Sequence, residues 1–150
     1  MKKVLVANRG EIAYRAVRVC RDLGLQSVSV HSQADRRQLH VLEADLSVRI
    51  GPAPSNKSYL LADTLLHVAI ETGCDAVYPG YGFLSENAAF AESCERNGLK
   101  FIGPAAEVIG VMGDKAKARE IADCYDVPVV PGSDSAFDDA EVALDAAGGV

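Results

Sequence analysis

Short apolar runs of strand length alternate with helix-period segments along most of the chain. Residues 4–7 form the first run, followed by a helical segment to about Leu23; residues 27–30 lead into a short helix around Val41; residues 46–50 lead into a helix from Leu60 to Thr72. Two more runs follow, at 76–78 and 99–102, with a helix between them that Ser85, Glu86 and Asn87 are placed to start. This βαβα order predicts an α/β fold with a parallel, Rossmann-like sheet and helices on both faces. Gly24, Gly73 and Gly98 each stand just past a helical run, where a left-handed C-cap is favoured.

Beyond Gly103-Pro104 the pattern changes to two short helical segments, 105–111 and 114–125, then an extended stretch at 127–131. Pro128 and Pro131 disfavour helix at themselves and at their predecessors. Residues 133–137 read as linker and 138–147 as a final helix. Gly148-Gly149-Val150 is where a further strand should begin, so the end of the sequence reads as a cut between elements.

On the first helix, Ile12, Ala16, Val19, Cys20 and Leu23 recur at helical spacing and are expected to face the sheet. Glu11, Arg15, Arg18 and Asp22 make a second stripe, which reads either as a solvated ladder of opposite charges or as a subunit contact or active-site rim.

Composition narrows the function classes. With 150 residues, 49% of them hydrophobic and 24% charged, the chain can build an ordinary globular core. A formal net charge of -6 argues against a nucleic-acid surface held by counterion release. Cys20, Cys74, Cys94 and Cys124 lack C-x-x-C spacing and read as reduced core residues. Met1-Lys2-Lys3 runs straight into a strand too short for a signal segment or a membrane span, so a cytoplasmic protein is expected. His31, His40 and His67 have no metal-ligand spacing and read as satisfied structural residues.

The first strand ends in Ala7-Asn8-Arg9-Gly10-Glu11-Ile12-Ala13, at the carboxyl edge where open α/β sheets bind ligands. It has one glycine, not the G-x-G-x-x-G of a dinucleotide site, and no Walker A motif occurs anywhere. Segment 32–37 is polar and reads either as a ligand loop or, more simply, as exposed chain, and Lys57-Ser58 as a loop closing onto a helix. Pro79-Gly80-Tyr81-Gly82-Phe83-Leu84-Ser85-Glu86-Asn87 is the strongest ligand-loop candidate, because two glycines flank Tyr81 and free the backbone to hold an aromatic ring and the Glu86 carboxylate on one platform. In Met112-Gly113-Asp114-Lys115, Asp114 is a plausible N-cap and Lys115 the first helical residue. A cation there opposes the helix dipole by about 0.3–1 kcal/mol, which fits an anion bound beside the lysine and the free amides, or simply a solvated lysine.

Taken together, Ala7 to Ala13, Ile50-Gly51-Pro52-Ala53-Pro54 with Ser58-Tyr59-Leu60, Pro79 to Asn87, Phe101-Ile102-Gly103-Pro104 and Met112 to Lys115 resemble the N-terminal domain of biotin carboxylase, over nearly the whole chain and in order. That domain occurs in acetyl-CoA carboxylase, an enzyme of fatty acid biosynthesis, and in propionyl-CoA, methylcrotonyl-CoA and pyruvate carboxylases. The resemblance implies a pre-ATP-grasp domain over residues 1–111 and the start of the ATP-grasp region over 112–150, with the lid and catalytic residues downstream. It implies an ATP-dependent ligase that uses bicarbonate to carboxylate biotin on a carrier, with magnesium or manganese as cofactor and a biotin carboxyl carrier, a carboxyltransferase and a second copy of itself as partners.

Carried over by motif, Lys115 contacts ATP, and Tyr81, Gly82 and Glu86 line the biotin and bicarbonate side of the cleft. Arg15, Arg18 and Asp22 match positions near the homodimer contact. Tyr78 stands where many relatives carry a histidine. The 150 residues alone are expected to bind ATP weakly and not to turn over; the alternative reading is a folding and dimerisation module without chemistry.

Overall fold

In the computed structural model, residues 1–130 and 139–147 are described, so the expected linker at 133–137 and the strand start at 148–150 lie outside them. The first strand, β1 (Lys3–Val6), sends Val4 and Val6 to one face of a sheet and Leu5, followed by Ala7 just past its end, to the other. All four side chains are buried, which is why this run is continuously apolar instead of alternating. Strands β2 (Gln26–Ser32), β3 (Leu46–Gly51), β4 (Ala76–Tyr78) and β5 (Lys100–Phe101) join it, all in parallel, in the order β3-β2-β1-β4-β5.

Helix α1 (Gly10–Asp22) lies on the Val4/Val6 face, with Ala13, Ala16 and Val17 against Val6, and Cys20 against Val4 and Ala76; α2 (Leu39–Leu42) packs beside it. The Leu5/Ala7 face is covered by α3 (Ala62–Glu71) and α4 (Ala88–Arg96), whose Leu65, Ala69, Phe90 and Cys94 meet Leu5 and Val77. Right-handed crossovers produce this split when the strand order reverses direction, and here it reverses between β1 and β4. The parallel sheet with helices on both faces is therefore present as the alternation of elements predicts, and Gly24, Gly73 and Gly98 all carry positive φ.

Packing on α1 departs from expectation. The helix turns its small side, Ala13 and Ala16, to the strands, so that the bulkier Val19 and Leu23 are 45% and 67% exposed. They line an open apolar groove of about 340 Å³ with Met1, Val4, Leu25 and Tyr78. Cys20, Cys74 and Cys94 are buried thiols, whereas Cys124 is exposed because α6 (Lys115–Cys124) buries none of its residues.

The chain forms two compact units, Met1–Ile109 and a second starting at Gly110, and the division falls inside α5 (Ala106–Met112). In the second unit Asp114 caps α6, while Asp139 accepts hydrogen bonds from Glu141 and Val142 at 2.8 and 3.2 Å to start α7 (Ala140–Ala147).

Within the larger core, Phe90 and Phe101 meet edge to face at 6.1 Å and 85°, both fully enclosed. Phe90→Ala is expected to destabilise the protein by about 3–5 kcal/mol, through lost transfer energy and the cavity left behind. Urea denaturation followed by circular dichroism measures it, with an unchanged slope.

Candidate functional site

Because Val6 pairs with Tyr78 in the parallel register, the exits of β1 and β4 lie side by side where the strand order reverses. That crevice is where open α/β sheets take ligands. The ladder continues one step past β1, with the Ala7 amide donating to the Tyr78 carbonyl at 2.8 Å. Asn8 then leaves the strand with its side chain only 3% exposed. Its Nδ2 donates to the carbonyls of Pro79 at 2.7 Å and Tyr81 at 2.9 Å, and its Oδ1 accepts from the Arg9 amide at 2.8 Å. Both amide hydrogens and the carbonyl are thereby used.

Gly80 must be glycine here. Its φ is +69°, and a Cβ would stand 2.9 Å from Asn8 Nδ2 and 3.1 Å from Ile12 Cγ1. The loop's far end is held too: the Tyr81 hydroxyl donates to Glu11 Oε1 in the first turn of α1.

Arg9 joins the remaining loops of the edge. Phe83, at φ +46°, stacks on Tyr59 with centroids 5.1 Å apart and planes at 18°, and the Arg9 guanidinium lies 5.6 Å from the centre of each ring. Arg9 Nη1 is also 3.6 Å from Asp35 Oδ2. That buried carboxylate accepts from Tyr59 Oη at 2.7 Å, Ser32 Oγ at 2.8 Å and Gln38 Nε2 at 2.7 Å, while Tyr59 Oη accepts the Ser32 amide at 2.9 Å. Segment 32–37, read as exposed, therefore has a buried polar heart at Ser32 and Asp35.

Burial by itself would raise the Asp35 carboxyl, but the hydrogen bonds from Tyr59 and Ser32 and the nearby Arg9 charge bring it below its ordinary value. Burial and the bond to Asp35 push the Tyr59 phenol up to about 12. His40, also fully buried, is not the satisfied histidine expected: neither ring nitrogen reaches a partner in hydrogen-bond geometry. Burial moves its imidazole below the ordinary value, which keeps it neutral, against the opposing pull of Asp35.

Tyr81, 62% exposed, and the exposed Gly82 and Glu86 share one loop, and Asn87 caps α4 by accepting from the Phe90 amide at 2.9 Å. Arg15, Arg18 and Asp22 are exposed on α1, and among the described residues no ion pair joins them or Glu11 to one another, so the charge ladder does not form. Arg18 lies 5.9 Å from the Tyr14 ring centre, and it is Arg21 that pairs, with Glu43 at 3.2 Å.

Lys115, in the second unit, is exposed at the first position of α6. The amides beside it are not all free: Asp114 Oδ1 takes those of Ala116 and Lys117 at 3.1 and 3.3 Å. Asn8, Arg9 and Phe83 lay inside motifs singled out in the sequence but were given no individual role, and Asp35 and Tyr59 were not legible as site residues at all. The local signals were the strand-to-helix turn at 7–13 and the glycine-flanked loop at 79–87; Asp35 and Tyr59 meet only because the sheet folds.

A parallel α/β domain with a loop clamped at the reversal of its strand order belongs to the class that binds ligands at that crevice. Residues 1–109 match the family model for the biotin carboxylase N-terminal domain, and the chain belongs to that family. Biotin carboxylase of Pseudomonas aeruginosa is 53% identical over 145 residues, which are 96% of this chain and 32% of the relative. The Haemophilus influenzae biotin carboxylase is 57% identical over 134 residues, 89% of this chain and 30% of the relative.

Among solved structures, the biotin carboxylase domain of the Hydrogenobacter thermophilus 2-oxoglutarate carboxylase, a dimer with magnesium ADP, ADP and bicarbonate, superposes with a TM-score of 0.91 at 47% identity. It covers 99% of this chain and 32% of that one. The chain thus spans about a third of the length of such relatives. Among the described residues no helix is long and apolar enough to cross a membrane.

The Tyr59–Asp35 pair makes stability depend on pH in two windows. Tyr59's folded value lies above its ordinary 10.0, so its contribution is complete below pH 10.0 and is lost as pH rises toward about 12. Asp35's lies below 3.8, so its contribution is complete well above that pH and is lost as pH falls through the lowered value. In urea titrations, Tyr59→Phe is expected to remove an alkaline loss of about 3 kcal/mol while leaving much of the acid limb.

Proposed function

We propose that this chain forms the N-terminal part of a biotin carboxylase, an ATP-dependent ligase in which ATP and bicarbonate give carboxyphosphate and its carbon dioxide carboxylates a ureido nitrogen of biotin on a carrier. The observation that carries this reading is the Tyr81 loop, clamped by Asn8 and Glu11 at the strand-order reversal of a chain that aligns over 96% of its length with a biotin carboxylase. In this reading Tyr81, Gly82 and Glu86 line the biotin and bicarbonate side, and the exposed Lys115 ammonium meets the phosphates of ATP. The Asp114 cap fixes the start of α6, and with it the position of Lys115, while taking the Ala116 and Lys117 amides for itself. Glu86, exposed on the same loop as Tyr81, supplies the carboxylate in this reading.

A magnesium or manganese ion, when bound, neutralises phosphate charge. Among the described residues no group of three or more His, Cys, Asp or Glu is gathered to hold one, so no step here runs through it. The carrier presents the biotin to this reaction, and a carboxyltransferase is the partner that takes the carboxyl group onward. The pre-ATP-grasp portion is taken to end near residue 111, with the ATP-grasp region beginning at 112. Isolated, the 150 residues are proposed to bind ATP weakly.

A second reading, a dimerisation element without chemistry of its own, draws on the apolar groove around Val19 and Leu23 beside the exposed Arg15, Arg18 and Asp22.

In the full-length protein, Lys115→Ala is expected to raise KM for ATP about tenfold, the loss of one charge-assisted contact, with unfolding unchanged in calorimetry. An unmoved KM removes Lys115 from the nucleotide site. Sedimentation velocity separates the two readings of α1: Arg18→Glu is expected to convert the full-length dimer to monomer, and a persisting dimer removes Arg15, Arg18 and Asp22 from the contact.

A further inference from the structure

Tyr81 is held at two points and is otherwise open. Its carbonyl accepts from the buried Asn8 at 2.9 Å, and its hydroxyl donates to Glu11, while the side chain between them is 62% exposed. Glu11 belongs to the first turn of α1, where the positive end of the helix dipole favours a carboxylate. Glu11 makes no ion pair with Arg15 or any other cation among the described residues, so its Oε1 is committed to the phenol alone.

A tyrosine hydroxyl carries one hydrogen and accepts through its oxygen. With the hydrogen fixed on Glu11, what Tyr81 offers the crevice is an acceptor, made stronger because a hydroxyl that donates to an anion accepts better. This inference rests on the biotin carboxylase reading and extends it to a residue outside the loop.

We propose that Glu11 is a positioning residue that orients the Tyr81 hydroxyl so that it accepts a hydrogen bond from an N–H or O–H of the bound ligand. The shared chemistry is a donor, supplied either by a ureido N–H of biotin or by the O–H of bicarbonate. A phenol free to rotate would instead offer its hydrogen to ligand oxygens as readily, and would lose discrimination between donor and acceptor groups. The upward shift of the Tyr81 phenol, caused first by the bond to Glu11, agrees with a hydrogen held on that carboxylate.

The test uses the full-length protein, with biotin- and bicarbonate-dependent ATP hydrolysis as the assay. Glu11→Ala is expected to raise KM about tenfold for one ligand while KM for ATP stays put. A rise confined to biotin assigns the N–H, and one confined to bicarbonate assigns the O–H. Glu11→Gln, whose amide oxygen still accepts from the phenol, is expected to stay within about threefold of the parent. In a Tyr81→Phe background Glu11→Ala is expected to add nothing.

Unchanged constants in Glu11→Ala, an effect that persists undiminished without the Tyr81 hydroxyl, or an equal rise in KM for ATP each overturn the proposal. Glu11 is exposed, so the variant is expected to fold. A parent protein with no biotin-dependent hydrolysis defeats the enzymatic reading instead. In that event the carbon-13 shift of the Tyr81 phenol carbon still decides: it moves in Glu11→Ala and returns in Glu11→Gln, and a shift identical in all three proteins overturns the positioning role.

Discussion

Asn8 stands where β1 leaves the sheet, and its carboxamide joins that exit to the exit of β4 with both N–H groups donating and the oxygen accepting. A buried amide left half-satisfied would cost about 1–3 kcal/mol, so the loop that supplies its acceptors cannot drift without a penalty. The other features of the edge depend on this closure. Gly80 can have no Cβ because the Asn8 nitrogen occupies that space, and Phe83 takes up its positive φ while reaching over to Tyr59. Arg9, next in sequence, carries the linkage onward to Asp35 and thereby to the segment after β2. Two consecutive residues thus gather the loops that follow four different elements.

That gathering has an electrostatic side. Asp35 is buried yet held below the usual carboxyl value by three donors and one guanidinium, whereas the His40 imidazole is lowered because burial outweighs the opposing pull of Asp35. The pair shows the two ways a protein interior deals with a titratable group. The edge therefore has a buried polar base, above which Arg9, Glu11, Tyr81, Gly82 and Glu86 are exposed.

Much of the architecture was legible from local pattern. The doubly buried strands announce themselves as unbroken apolar runs such as residues 4–7, and the helix starts at Asn87 and Asp114 follow from capping chemistry alone. Other features depended on geometry that no local window contains. Val19 and Leu23 misled because periodicity gives the presence of an apolar face but not its rotation, and here small alanines took the place against the strands. The Ser32–Asp35–Tyr59 network joins residues 24 and 27 positions apart in sequence, and polarity alone made its first part look like solvent-facing loop. Asn8 and Glu11 lay inside a motif that was noticed, but their partners are 70 to 73 positions away and came into view only with the sheet.

The bonds from Asn8 end on main-chain oxygens, not on side chains. Such a grip is indifferent to what residue 81 is. It works as a socket: the backbone course stays the same while the group projecting from it is exchanged, which gives this corner of the fold a way to acquire a new preference without being rebuilt.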